Sequence, residues 1–179
     1  TPKQATTYLA ENKVICSNAQ SLQAIAKSAS DWQTQIVSYR LVGDIKYAAQ
    51  QIIDCAHSTS PTGKQLLIWG GETTVELSGD GRGGRNQELA VRVAALAGDL
   101  SGQWLFLSGG TDGRDGPTDA AGGIVTAETI SRSQSSNVNV QAALTANDSY
   151  RILDAAGDLL KTGATGTNVA DIQLLFRTN

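Results

Sequence analysis

Apolar residues along the chain fall into two alternating rhythms: short runs suited to strands, and longer runs with helical spacing. Val14-Ile15-Cys16 reads as a strand ending at Ser17-Asn18, and Ser21 is placed to cap a helix through Trp32, with Leu22, Ile25, Ala26 and Ala29 on one face. Gln35 to Leu41 follows as a second strand. From Asp44 to His57 the positions Ile45, Ala48, Ala49, Ile52 and Ile53 keep helical spacing, with Asp44 as N-cap and a stop before Pro61. Leu66 to Trp69 is a buried strand broken at Gly70-Gly71, and Thr73 to Leu77 alternates as a half-exposed strand does.

Asn86 to Ala97 predicts an amphipathic helix with Leu89, Val93 and Leu96 inward. Trp104 to Leu107 is the next buried strand, and it too ends in glycines, Gly109-Gly110. Gly123 to Thr126 reads as a short strand, Ser131 to Asn139 as a polar surface connection, Gln141–Leu144 and Ser149–Leu160 as helical, and Val169 to Phe176 as a last strand. Strands alternating with helices imply an α/β fold with a mixed, largely parallel sheet flanked by helices. No internal repeat or low-complexity linker is present.

Composition narrows the function classes. The 179 residues suit one compact core, and 40% hydrophobic with 17% charged residues is ordinary globular usage. No run of about 18 apolar residues exists to span a bilayer. A net charge of −3 with scattered Lys and Arg offers no continuous basic surface for nucleic acid. Cys16 and Cys55 lie in apolar segments far from metal-ligand spacing, so the expectation is two buried thiols in a cytoplasmic protein. Thr1-Pro2-Lys3-Gln4 lacks the basic start of a secretory signal. The chain contains no Met, which is expected of a piece or processed form of a longer polypeptide.

Ligands of open α/β sheets sit beyond the carboxyl ends of strands, and two such ends carry more glycine and charge than a connection needs. Gly79-Asp80-Gly81-Arg82-Gly83-Gly84-Arg85 places four glycines and two arginines in seven residues. Glycine backbone approaches a ligand closely, the following helix N-terminus favours an anion, and the arginines suit phosphate or carboxylate. A plain tight turn with solvated arginines is the competing reading. The loop also matches G-x-G-x-x-G formally. Against a dinucleotide turn, the preceding run carries Glu76, two arginines intrude, and the acid expected about 20 residues on is absent. No G-x-x-x-x-G-K-[ST] loop occurs.

The second loop, Gly109 to Asp119, places Asp112, Asp115 and Asp119 within eight residues, without EF-hand spacing. One carboxylate suffices to accept a hydroxyl proton or help hold a nucleotide-bound Mg²⁺; turn capping is the alternative, above all for Asp115 and Asp119. Glu72, beside Gly70-Gly71, faces either the same crevice or solvent. His57, the only histidine, ends a helix, so a Ser-His-Asp hydrolase is discounted.

Four motifs in order carry a resemblance: Gly70-Gly71-Glu72-Thr73-Thr74-Val75; the run from Gly79 through Gly83-Gly84-Arg85-Asn86-Gln87-Glu88; Ser108-Gly109-Gly110-Thr111-Asp112-Gly113 continuing through Asp115-Gly116-Pro117-Thr118-Asp119-Ala120-Ala121-Gly122; and Thr165-Gly166-Thr167-Asn168-Val169 with Asp171. They resemble the MOFRL domain, the C-terminal part of the glycerate 2-kinases, a class also called hydroxypyruvate reductases. Ala164 stands where that family commonly has Pro.

The resemblance implies a lead-in segment over 1–64 and a MOFRL-like domain over 65–179, with the family's N-terminal kinase domain absent. It further implies phosphorylation of D-glycerate at its 2-hydroxyl with ATP and Mg²⁺ in the assembled enzyme. Arg85 and Asp112 would be catalytic, with Glu72, Gly83, Gly84, Asn86, Asp115 and Asn168 binding substrate or phosphate and no metal held by the chain itself. The isolated chain is then expected to be inactive. NAD(P)H-dependent hydroxypyruvate reduction and a non-enzymatic carboxylate-binding domain are the alternatives, and a homodimer is left open.

Overall fold

The computed structural model of the chain describes residues 10–60 and 62–179; the expected features at Thr1-Pro2-Lys3-Gln4 and Pro61 lie outside them. In chain order the elements are α1 (Asn18–Ser28), β1 (Gln33–Ser38), β2 (Gly43–Asp44), α2 (Ile45–Ser58), β3 (Gln65–Gly71), β4 (Thr73–Thr74), α3 (Arg85–Leu96), β5 (Gln103–Gly110), β6 (Gly122–Thr126), α4 (Thr129–Ser135), α5 (Val140–Thr145), α6 (Ser149–Ala156), β7 (Leu159–Leu160) and β8 (Asp171–Thr178). Six strands form one sheet in the order β1-β3-β8-β5-β6-β7, and β2 and β4 make a separate short pair.

The sheet is mixed and flanked by helices, as the alternation implies. Parallel pairing within it is confined to β1 and β3, however; the β3–β8, β5–β8, β5–β6 and β6–β7 pairs are antiparallel. Parallel neighbours need a crossover of about a dozen residues or more. Helix α2 supplies one between β1 and β3. Between β5 and β6 the chain returns through a loop without a helix, so the two strands run oppositely.

Local chemistry sets the helix ends. Asp44 caps α2 by accepting from the Lys46 amide at 2.7 Å, and Ile45, Ala48, Ala49, Ile52, Ile53 and Ala56 turn inward. At the other end of α2 the buried Arg177 of β8 donates to the carbonyls of Ala56 and Thr59, where the helix dipole favours a cation. Ser17, rather than Ser21, caps α1, accepting from the Gln20 amide.

Helix α1 covers one sheet face through Leu22, Leu66 and Ile68, with Trp32 and Phe176 packed edge-on at 5.3 Å between centroids. Helices α2, α3 and α6 cover the other face over Leu67, Trp69, Phe106, Val125 and Leu175.

Several expectations are corrected. Residues 14–16 form no strand; they pair with nothing among the described residues, and Val14, Ile15 and Cys16 are exposed, so Cys16 is not a buried thiol and Cys55 is only partly buried. The second strand starts and ends earlier than Gln35 to Leu41. Only Thr73–Thr74 of the Thr73–Leu77 run pairs, because its neighbour β2 is two residues long. Leu96, in the last turn of α3, points outward. The polar stretch Ser131–Asn139 is partly helix α4, which buries Thr129 and Ser133 and sets only the partly buried Ile130 against the core, so it shows no apolar stripe.

Candidate functional site

Strand pairing brings three chain segments together at one end of the sheet's central strands. Asp171, the first residue of β8, lies opposite Gly71 at the end of β3 and Gly110 at the end of β5. Arg85, the first residue of α3, reaches this point. Its Nε and Nη2 donate to the two oxygens of Asp171 at 2.6 and 3.1 Å, and its Nη1 lies 2.8 Å from Glu72. The Asp171 side chain is 1% exposed and that of Glu72 57%. The bond to Asp171 is the main reason the guanidinium holds its proton more firmly than an ordinary arginine.

The second loop grips the first. Asp115 is buried and accepts from the backbone amides of Asn86 and Gln87 at 3.1 and 2.8 Å, and from the Gln87 side chain at 3.1 Å. A carboxylate from the acidic loop thus occupies the N-terminus of α3, whose own N-cap, Gly84, has no side chain to do so. A side chain at Gly84 would overlap the Asp115 carboxylate, and Gly116 turns with φ +60° against the Gly83 carbonyl. Burial pushes the Asp115 carboxyl up, opposed by these amide bonds.

The glycine loop is tied down along its other side by the turn after α5. Asn147, at φ 57°, accepts from the Ser78 and Gly79 amides at 2.7 and 3.1 Å and donates to the buried Glu88 carboxylate at 3.1 Å. The Gly81 amide donates to the Ala146 carbonyl, and the Arg82 amide to Asp148. The expected cradle of loop amides around an anion is therefore largely spent inside the protein. Arg82 also leaves the cleft: its guanidinium stacks on Tyr150 at 4.1 Å and lies 3.5 Å from Asp119. Asp119 further accepts from Tyr150 at 2.8 Å and pairs with Lys161 at 2.9 Å, and these two bonds, that from Lys161 first, hold its carboxyl at about 2.

A cleft of about 580 Å³ opens between the two loops. Gly83, Gly84, Arg85, Asp112 and Asp115 line it, together with Thr73, Val75, Leu77 and Pro117. Asp112 is half-buried, and one of its oxygens accepts the Arg114 amide at 3.0 Å. Glu72 is not itself part of the lining and touches the wall through its ion pair with Arg85. Asn86 is buried behind the wall, where its side-chain Oδ1 accepts from the Ser108 hydroxyl at 2.6 Å, and Asn168 is exposed on the loop before β8, outside the cleft lining.

Sequence reasoning named Asp171 only as part of a motif and did not single out Asn147 or Gln87. An Asn directly after a helical pattern is the one signal available for Asn147, since Asn tolerates the left-handed region.

Among the described residues no group of three or more His, Cys, Asp or Glu side chains is arranged to hold a metal ion, and no helix is long and apolar enough to cross a membrane.

Known proteins share both the sequence and the fold. The chain is 50% identical over 124 residues to the glycerate kinase of Homo sapiens, covering 64% of this chain and 23% of that one. It is 38% identical over 176 residues to the glycerate 2-kinase of Pyrococcus horikoshii, covering 94% and 40%. The crystal structure of a glycerate kinase from Thermotoga maritima is similar with a TM-score of 0.84 at 34% identity, over 90% of this chain and 41% of that one. The chain thus spans well under half the length of these relatives. The MOFRL family profile matches residues 65–171, more than half of the sequence, and the chain belongs to the MOFRL family.

Proposed function

We propose that this chain forms one wall of the active-site cleft of a glycerate 2-kinase, an enzyme that transfers the γ-phosphoryl group of ATP to the 2-hydroxyl of D-glycerate. The observation that carries the reading is the pairing of Arg85 with a buried Asp171 at the mouth of a cleft that also holds Asp112. Glycerate kinases among the relatives support the substrate. Arg85 binds the glycerate carboxylate or the transferring phosphoryl group. Asp112 accepts the proton of the 2-hydroxyl as its oxygen bonds to the γ-phosphorus and the bond from phosphorus to the bridging oxygen of the leaving ADP breaks.

Mg²⁺ suits this donor set as a nucleotide-borne ion. Asp115 and Asp171 are committed to amides and to Arg85, which leaves Asp112 as the one cleft aspartate able to contribute a ligand, and Mg²⁺ is often held by one or two carboxylates with phosphate oxygens and water. Bound there, the ion would neutralise charge on the phosphates. The nucleotide's remaining contacts are assigned to a partner domain, so the chain alone is without turnover.

The occupied N-terminus of α3 counts against hydroxypyruvate reduction. A dinucleotide turn needs those amides for the pyrophosphate, and here Asp115 takes them.

The test is glycerate-dependent ADP release by the chain alone and after addition of the complementary N-terminal part. Turnover by the chain alone, or oxidation of NAD(P)H with hydroxypyruvate in the assembled protein, overturns the reading.

A further inference from the structure

Arg85 carries five N–H donors in a rigid plane. Asp171 takes the Nε and Nη2 edge side-on, from a carboxylate buried at 1% exposure in the centre of the sheet. Moving the guanidinium away would leave the buried Asp171 carboxylate without its partner, so this contact is the fixed one. The third contact differs in kind. Glu72 reaches Nη1 at 2.8 Å from a side chain 57% exposed, in the single residue that separates β3 from β4. Its carboxylate makes no other hydrogen bond or ion pair among the described residues. Nη1 is also on the edge of the guanidinium that Asp171 leaves free, and hence where an incoming anion would bind.

We propose that Glu72 is an internal competitor that occupies the anion position on Arg85 while the cleft is empty and swings into solvent when an anionic substrate group arrives. The proposal rests on the reading of Arg85 as the anion-binding residue and adds a specificity rule to it. A carboxylate or phosphate replaces Glu72 charge for charge. A neutral polyol or aldehyde of the same size cannot, and leaves the Arg85–Glu72 pair closed. Asp171 keeps the guanidinium in place during the exchange, so the cost of binding is one solvent-exposed rotation of Glu72 rather than a rearrangement of the wall.

The test is titration of the 179-residue chain with inorganic phosphate and with D-glycerate, followed by calorimetry and by the side-chain ¹⁵N resonances of Arg85. Glu72→Gln and Glu72→Ala are expected to bind both anions roughly three- to tenfold more tightly, the effect of removing one exposed ion pair and one like-charge neighbour. In the unmodified chain, phosphate should move the Nη1 resonance and leave Nε in place. Equal or weaker binding by both Glu72 variants, or no saturable binding by any form, overturns the proposal. Unchanged binding by Arg85→Lys overturns instead the reading of Arg85 on which it rests, so the two failures are separable.

Discussion

Asp115 accepts the backbone amide of Gln87 at 2.8 Å across 28 residues of sequence, so the acidic loop caps the helix that the glycine loop opens. Asp115→Ala leaves two buried amides unpaired, and the expected loss of stability is about 2–3 kcal/mol, the scale of a lost cap plus an unsatisfied buried donor. Asp115→Asn is expected to fall short of rescue, because every group bonded to the carboxylate is a donor and an amide NH₂ must face one of them. Urea denaturation of the three forms measures this; an asparagine variant as stable as the parent would refute the capping role.

Asp171→Asn tests whether a buried carboxylate is what positions Arg85. Breaking a buried pair typically costs about 3–5 kcal/mol. Arg85 is 34% exposed and so partly solvated, which places the expected loss at or below the lower end of that range. Under the proposed function, the same change in the assembled protein should raise the KM for glycerate, whereas Glu72→Gln should lower it. Steady-state kinetics over a glycerate series separates the two.

Asn147 holds the glycine loop by its side chain and also occupies φ 57°. Asn147→Ala removes the side-chain acceptor and donor together with the tolerance of that backbone angle, while Asn147→Gly removes only the hydrogen-bonding groups. Amide hydrogen exchange at Ser78 and Gly79 is expected to quicken in both. The stability loss should be larger for alanine, by about 1 kcal/mol. Equal losses would show that the angle carries no cost.

The Asp119 carboxyl titrates at about 2, below its ordinary 3.8, because Lys161 and then Tyr150 bond its charged form. For an acid with a lowered native value, the stabilisation is fully present above the ordinary value and is lost as pH falls through about 2. Carboxyl ¹³C shifts of Asp119 should show that low midpoint, and Lys161→Gln should move it back towards 3.8. A midpoint near the ordinary value in the parent chain would mean that the cluster does not persist in solution.

Elements with a strong apolar rhythm were legible in the sequence: the inward positions of α2, the buried runs of β3 and β5, and the start of α3. Legibility failed where the deciding contact is remote. Val14-Ile15-Cys16 has strand-like residues but no neighbour to pair with among the described ones, and α4 buries Thr129 and Ser133, which no hydrophobicity pattern marks. The antiparallel entry of β8 between β3 and β5 is a pairing choice, invisible in the strand itself. At the site, the motifs located both loops. They could not reveal that Asp115 faces inward on α3 or that Arg82 stacks on Tyr150, since each partner lies tens of residues away.

The position of β8 also orders events in time. Asp171 belongs to a strand synthesised after β3 and β5, yet that strand lies between the two in the sheet. During synthesis β3 and β5 therefore wait with facing edges unpaired, a state prone to mispairing. Arg85 acquires its anchor only when Asp171 has been inserted. A nascent chain stalled before residue 171 would carry both loops in full and still have no fixed arginine, so the two loops become a site only once β8 has joined them.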